Sequence, residues 1–142
     1  MTKSILVPID ISSDNAGASA IPVAQDLARS NGGKVTLLNV VEHVGGYTRT
    51  YLPEDYCEQA AAEAKTILAD IAAKHDLPKD TDIAVREGVP ASEILAHAKA
   101  IKADIIVLPS HDPGLADFFL GSVAARVVRH AHCSVMVVRK TK

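Results

Sequence analysis

The sequence predicts an α/β protein in which five short strands form a mostly parallel sheet with helices on both faces. Three observations lead there. Apolar runs rich in Val and Ile alternate with segments whose apolar residues recur at helical spacing, and right-handed crossovers build that β-α-β-α-β-α-β-α-β order into a parallel sheet. Four of the five runs are apolar nearly throughout, as strands covered on both faces are. Glycine and proline punctuate the joints between segments, where chain direction has to change.

The elements follow in order. "SILVPI" (4–9) is the first strand; Pro8 leaves the ladder and Asp10 stands in the loop beyond. From Ala20, Val23, Ala24, Leu27 and Ala28 form one helical stripe. Pro22 lies inside that pattern, so the helix either starts late or bends, and a bend is expected. Gly32-Gly33 ends it, and "KVTLLNVV" (34–41) is the second strand. The stretch 42–56, "EHVGGYTRTYLPEDY", is the longest irregular one. It is either a flap near the site or a long crossover, and the crossover is the expectation.

A second helical pattern over 53–75 carries Ala64, Ile67, Leu68, Ile71 and Ala72. Pro53 suits its first turn, Glu54 and Asp55 suit its positive start, and Leu77-Pro78 is the stop. "DIAVR" (82–86) alternates more than the other runs and suits a sheet edge. Over 90–101, Pro90 and Glu93 mark a helix start, and Ile94, Ala98 and Ile101 give the stripe. "DIIVL" (104–108) is the fourth strand, a last helix begins near Gly121-Ser122, and "SVMVV" (134–138) is the fifth strand.

Composition narrows the function classes. The chain has 142 residues, 48% hydrophobic and 23% charged, with a formal net charge of -2, which predicts one globular domain over 1–142. There is no basic surplus for nucleic acid, and no apolar run approaches the ~20 residues of a membrane span. "MTKSILVPID" carries no signal-peptide pattern, so a cytoplasmic location is expected. Cys57 and Cys133 form no metal or redox motif. Cys133 heads an apolar run as a small buried hydrophobe, while Cys57 lies in a polar stretch.

Open parallel sheets bind ligands at the carboxyl ends of their strands, where connections diverge to opposite faces. Strand one ends in "VPID" and strand four in "LPSH". If they are neighbours, Asp10, Ser110 and His111 converge on one crevice. Gly121 then lets a ligand approach the backbone, and Ser122 is expected as the N-cap of the last helix. The N–H groups of Val123 and Ala124, with a helix-dipole charge of roughly half a unit, favour an anion there. His111 either bonds a phosphate or acts in proton transfer, or it braces its own loop; the brace is the expectation. His130 and His132 lie two apart and point to different faces, so they are not read as a metal pair. His43, His75 and His97 read as surface or packing residues, and Arg126 and Arg129 as a solvated helix face.

Other nucleotide folds lack their signatures here. "DISSDN" has no glycine before Gly17, so it is not the serine- and glycine-rich loop of a pyrophosphatase-type enzyme. His-x-Gly-His, GxxxxGK[ST] and GxGxxG are absent. Strand three ends in "REG", not in the aspartate of a response regulator.

Three stretches carry a resemblance: "ILVPIDIS", "VREGVPASEILAHAKAIKADIIVLPSHDPG" and "LGSVAARVVRHAHCSVMVVRK". Together they resemble the universal stress protein family end to end, most closely its small single-domain bacterial branch with SH-x-P after strand four. The resemblance implies a Rossmann-like, adenine nucleotide alpha hydrolase-like sheet of order 3-2-1-4-5. It implies a homodimer through the last strand (Ser134, Val135, Met136, Val137 and Val138). It also implies a cytoplasmic role in stress resistance and, in many relatives, ATP binding, with slow hydrolysis or self-phosphorylation in some.

Carried over by position, Pro8, Ile9 and Asp10 match the family's adenine end. Val40 matches its adenine-contacting valine, though it reads equally well as core. Leu108 and Pro109 match the positions beneath the ribose, and Ser122 and Val123 the phosphate-contacting backbone. Family ATP binders read G-x-x-G, nine residues, then G-S or G-T; here Gly121-Ser122 match the final pair. Pro109 and Asp112 stand in place of the first glycines, and the spacer 113–120 is one residue short. Those glycines supply unhindered amides to phosphates. Mg²⁺ between Asp10 and phosphate oxygens would suit both. The expected function is a dimeric module holding ATP or a related adenine nucleotide, with little or no turnover. The alternative is a nucleotide-free interaction protein of the same fold. An enzymatic variant comes third, because no base–nucleophile pair stands out.

Overall fold

A computed structural model describes residues 3–12, 17–42, 52–110 and 121–139. Along the chain run β1 (Ser4–Pro8), α1 (Ala20–Asn31), β2 (Lys34–Glu42), α2 (Tyr56–Lys74) and β3 (Asp82–Gly88). They are followed by α3 (Pro90–Ala100), β4 (Ile105–Pro109), α4 (Ser122–His130) and β5 (Ser134–Val138). The strands pair in the order β3-β2-β1-β4-β5, all parallel. Ile5 stands opposite Val35 on one side and Ile105 on the other. β3 is an edge, as its weaker apolar run predicts.

Strand alternation divides the core into two layers. Ile5, Val7, Val35, Leu37, Ile105 and Val107 point to one face and meet Ala20, Ile21 and Ala24 of α1 and Leu68 of α2. Leu6, Leu38, Ile106 and Leu108 point to the other and meet Ala91, Ile94 and Ala98 of α3 and Ala124 and Val127 of α4. The central strands are therefore apolar toward both faces, with Thr36 and Asn39 of β2 the buried polar exceptions, and each fully buried Leu or Ile contributes about 1.5–3 kcal/mol. No helix among the described residues is long and apolar enough to cross a membrane.

Helix boundaries depart from expectation at three prolines and glycines. α1 begins at Ala20, so Pro22 falls in its first turn, where an amide has no intrahelical acceptor to lose. The late start replaces the expected bend. Pro53 precedes α2 rather than opening it: Asp55 is the N-cap, and the Tyr56 N–H turns back to the Pro53 carbonyl at 3.0 Å. Gly121, not Ser122, caps α4, with φ -65° and ψ 159°; Ser122 is the first helical residue. Pro90 opens α3 as expected. Gly32 ends α1 at φ 63°, its N–H bonded to the Ala28 carbonyl, a left-handed stop that suits glycine.

Asp104 falls just outside β4 and has a structural duty. One carboxylate oxygen, Oδ2, accepts the Ser4 and Lys3 amides at 2.8 and 2.9 Å, while the Asp104 N–H donates to the Ser4 carbonyl at 2.8 Å. These amide bonds, Ser4 first, hold its carboxyl below the usual range.

Candidate functional site

β1 lies between β2 and β4. The helix after β1 packs on one face of the sheet and the helix after β4 on the other. The connections therefore part at the carboxyl ends of β1 and β4, the switch point where such sheets hold ligands. A cleft of about 380 Å³ opens there, large enough for a small organic ligand.

The floor and one wall come from β1 and β2. Pro8 does not leave the sheet as expected: it is the last residue of β1, in register with Leu38 of β2, and Ile9 beyond it is stitched to β2 twice, its N–H donating to the Leu38 carbonyl at 2.7 Å and its carbonyl accepting from Asn39 Nδ2 at 2.9 Å. Asp10 is exposed beyond it. Its Oδ1 accepts both the Ser12 N–H at 3.0 Å and the Ser12 hydroxyl at 2.6 Å, a side-chain turn that fixes the carboxylate. Its other oxygen has no partner among the described residues. Val40 both borders the cleft and packs against the core layer of α3 and α4, so its two readings are compatible.

The opposite wall is Leu108, Pro109 and the start of α4. The Gly121 N–H donates to the Ser110 carbonyl at 2.9 Å, and the Gly121 carbonyl accepts from Ala125 at 2.9 Å. That holds the first turn of α4 against the end of β4. Ser122, Val123 and Ala124 occupy the first three helical positions and border the cleft. The N–H groups of such positions have no intrahelical acceptor, so the positive end of α4 abuts the cavity.

Of the residues singled out from sequence, Pro8, Ile9, Asp10, Val40, Leu108, Pro109, Gly121, Ser122 and Val123 border one cleft. Ser110 does not: it is 2% exposed, and its N–H extends the ladder to the Val138 carbonyl at 3.0 Å. It braces the turn instead of bordering the cleft. His111 and Asp112 lie outside the described residues, as do 43–51 of the long irregular stretch.

Other cleft residues escaped the sequence reading: Ser12, Asn39 and Glu42, with Pro90 and Ile94 of α3. Asn39 had a signal, being the one polar residue inside "LLNVV". Pro90 and Ile94 had a topological one, since α3, like α4, starts at the carboxyl edge of the sheet.

Among the described residues, the cleft carries two carboxylates, Asp10 and Glu42, and no Lys, Arg or His. No group of three or more His, Cys, Asp and Glu placed to hold a metal occurs among the described residues. Arg126 and Arg129 are exposed on α4. His97 is not a lone packing residue: its Nδ1 accepts from Arg86 Nε at 2.9 Å, while Arg86 Nη1 pairs with Glu93 Oε1 at 3.1 Å. Burial first, and the Arg86 charge second, push the His97 pKa down. Cys57 Sγ donates to Glu87 Oε1 at 3.3 Å. Burial, then the Asp104 charge, push the Cys133 thiol up, as expected of an inert packing cysteine.

Comparison with known proteins agrees with this architecture. A universal stress protein from Thermus aquaticus, described from the 3' region of a QAH/OAS sulfhydrylase, is 31% identical over 98% of this chain and 100% of its own length. Universal stress protein UspA from Lactobacillus plantarum matches with a TM-score of 0.77 at 28% identity, over 97% of this chain and 98% of that one. A universal stress protein solved in complex with cAMP shares the fold, with a TM-score of 0.65 at 22% identity over 99% and 98% of the two chains. The family model described as Universal stress protein family matches residues 1–139, and the chain belongs to that family.

Proposed function

We propose that residues 1–142 act as one universal stress protein domain that binds an adenine nucleotide in the β1/β4 cleft, with little or no turnover. The observation that carries this reading is the meeting, in one cavity, of an apolar slot and a helix start. Pro8, Val40, Ile94 and Leu108 offer a purine its apolar surfaces, with backbone groups of Ile9 and Asp10 at the edge. The Ser122–Ala124 amides offer a phosphate its donors. The Asp10 oxygen that has no partner among the described residues suits a ribose hydroxyl, or a Mg²⁺ ion shared with phosphate. The relative solved with cAMP shares this fold.

The same reading places the protein in the cytoplasm as a homodimer joined through β5. Ser134 is exposed and Val135, Met136, Val137 and Val138 are only half-buried on that edge, and an apolar unpaired edge invites a second strand. Equilibrium dialysis with ATP and Mg²⁺ tests the nucleotide; absence of binding at millimolar nucleotide overturns it. Light scattering tests the dimer; a monomeric mass at micromolar protein overturns that part.

The Asp10 and Glu42 carboxylates favour a second reading, a nucleotide-free interaction protein of the same fold. Mass spectrometry of whatever co-purifies separates the two: a bound adenine nucleotide eliminates the second.

A further inference from the structure

We infer that Arg86, Glu93 and His97 form a proton-operated clasp: protonation of His97 moves Glu93 from Arg86 to His97 and frees the α3 wall of the cleft from β3. With His97 unprotonated, one guanidinium joins the two elements. Arg86 of β3 donates through Nε to His97 Nδ1 at 2.9 Å and through Nη1 to Glu93 Oε1 at 3.1 Å. Glu93 and His97 stand four residues apart on α3, so Arg86 grips its first and second turns together. The fit is close: Gly88, the last residue of β3, has φ 148°, and a Cβ there would lie 2.8 Å from Glu93 Cγ, a place only glycine suits. Pro90 and Ile94 belong to the same two turns and border the cleft. What holds α3 to β3 therefore also sets that wall.

An imidazolium has no acceptor at Nδ1, so protonation breaks the Arg86 bond and leaves two cations facing each other. Glu93, one turn back on the same helix, is placed to follow the proton as an i,i+4 partner of His97. Pairing then runs along α3 instead of between α3 and β3. Arg86 and Glu93 are only partly buried on a sheet edge, so the released guanidinium can turn into solvent. Among the described residues, the other charges on elements packed against α3 have other places. Asp82 of β3 pairs with Lys34 of β2 at 3.0 Å, and Glu87 contacts Cys57. Glu42 of β2 borders the cleft. Lys99 of α3 and Arg126, Arg129 and His130 of α4 are exposed. Arg86 is the charge that bears on the ring; burial first, and Arg86 second, lower the His97 pKa and put the change on the acid side of neutrality. A ligand that needs the wall in place binds the unprotonated form better.

NMR titration of the His97 ring, amide-exchange protection and ATP–Mg²⁺ calorimetry on the full chain test this in wild type, His97→Gln and Glu93→Gln. From about pH 7.5 to 5.5, protection of amides 94–98 is expected to fall in wild type relative to Ile106 of β4, whose buried amide reports global opening. His97→Gln, which accepts from Arg86 without titrating, is expected to show no such fall. Glu93→Gln is expected to move the His97 midpoint to lower pH, because the imidazolium loses its new partner. The calorimetric readout rests on the nucleotide reading. The ratio of wild-type to His97→Gln affinity for ATP–Mg²⁺ is expected to fall about fivefold or more over the same range, the ligand's own titration cancelling in the ratio. Equal loss of protection in wild type and His97→Gln overturns the inference, as does a His97 midpoint unmoved by Glu93→Gln or an affinity ratio independent of pH. Failure of ATP to bind at either pH overturns the nucleotide reading instead, and the exchange measurement still decides the clasp.

Discussion

Asn39 Nδ2 donates to the Ile9 carbonyl at 2.9 Å, joining residues 30 positions apart. Both are buried, at 6% and 4% exposure. The bond falls one residue beyond Pro8, the last residue of β1, and without it the buried Ile9 carbonyl would lack a donor. It also fixes the backbone immediately before Asp10, so a contact internal to the sheet edge sets the geometry of the cleft floor.

Asn39→Leu keeps the size of the side chain and removes the donor. An unsatisfied buried carbonyl costs about 1–3 kcal/mol, so urea unfolding is expected to show a loss of that order. Nucleotide affinity is expected to fall as well, measured by dialysis in conditions where the variant is fully folded. Wild-type stability in Asn39→Leu would show that water, not Asn39, satisfies Ile9.

Asp104 makes the stability of the β1–β4 junction sensitive to acid. Its carboxyl is held below 3.8 by the Ser4 and Lys3 amides. A carboxyl depressed in the folded state contributes stability that is complete above its ordinary value and lost as pH falls through its folded value. Asp104→Ala is expected to unfold more easily at neutral pH and to show a shallower loss below about pH 4. Parallel pH titrations of unfolding free energy check this; identical slopes would contradict it.

Much of the fold could be read from single residues, and the exceptions share a cause. The uniform apolarity of "ILV" and "IIVL" reports burial on both faces, and burial on both faces is what central parallel strands have. Pro22, Pro53 and Ser122 were each placed in the right segment but one role away from the observed one, because helix starts depend on which amides find outside acceptors. Gly121 takes the cap because its own N–H is claimed by Ser110, a contact across the site that no local pattern encodes. Ser110 was grouped with the cleft for the same reason: its neighbours in sequence border the cavity, but its N–H is drawn into the β4–β5 ladder. Asn39 and the Arg86–Glu93–His97 cluster arise from pairing between elements, and spacing along one element does not show them.

His97 gives a second pH dependence of a different origin. Its Nδ1 can accept the Arg86 bond only when the ring is unprotonated there. Burial and Arg86 lower its pKa from 6.5. A histidine depressed in the folded state leaves the unfolded chain binding more protons, so stability is complete above about 6.5 and declines as pH falls toward the lowered folded value. Of the charged groups around it, Arg86 disfavours the imidazolium, and Glu93 is paired to Arg86. His97→Gln keeps an acceptor for Arg86 without a titration. It is expected to lose less stability than wild type between pH 7 and 5, measured by urea unfolding across that window.

Ser122 allows the role of the helix start to be tested apart from its fold. As the first residue of α4, it occupies the position where proline is best tolerated. Gly121 before it already has the extended ψ of 159° that a following proline requires. Ser122→Pro therefore removes one N–H from the cleft-lining start of α4 while leaving the helix intact, and Ser122→Ala controls for the hydroxyl. Hydrogen bonds to charged groups are worth about 1.5–3 kcal/mol, so AMP affinity is expected to fall about tenfold or more in Ser122→Pro and less in Ser122→Ala. Thermal stability and adenosine affinity are expected to move little in either. Equal losses of AMP and adenosine affinity would mean that the proline distorts the cleft rather than removing a phosphate donor. Unchanged AMP affinity would mean that the phosphate does not sit on the α4 amides at all.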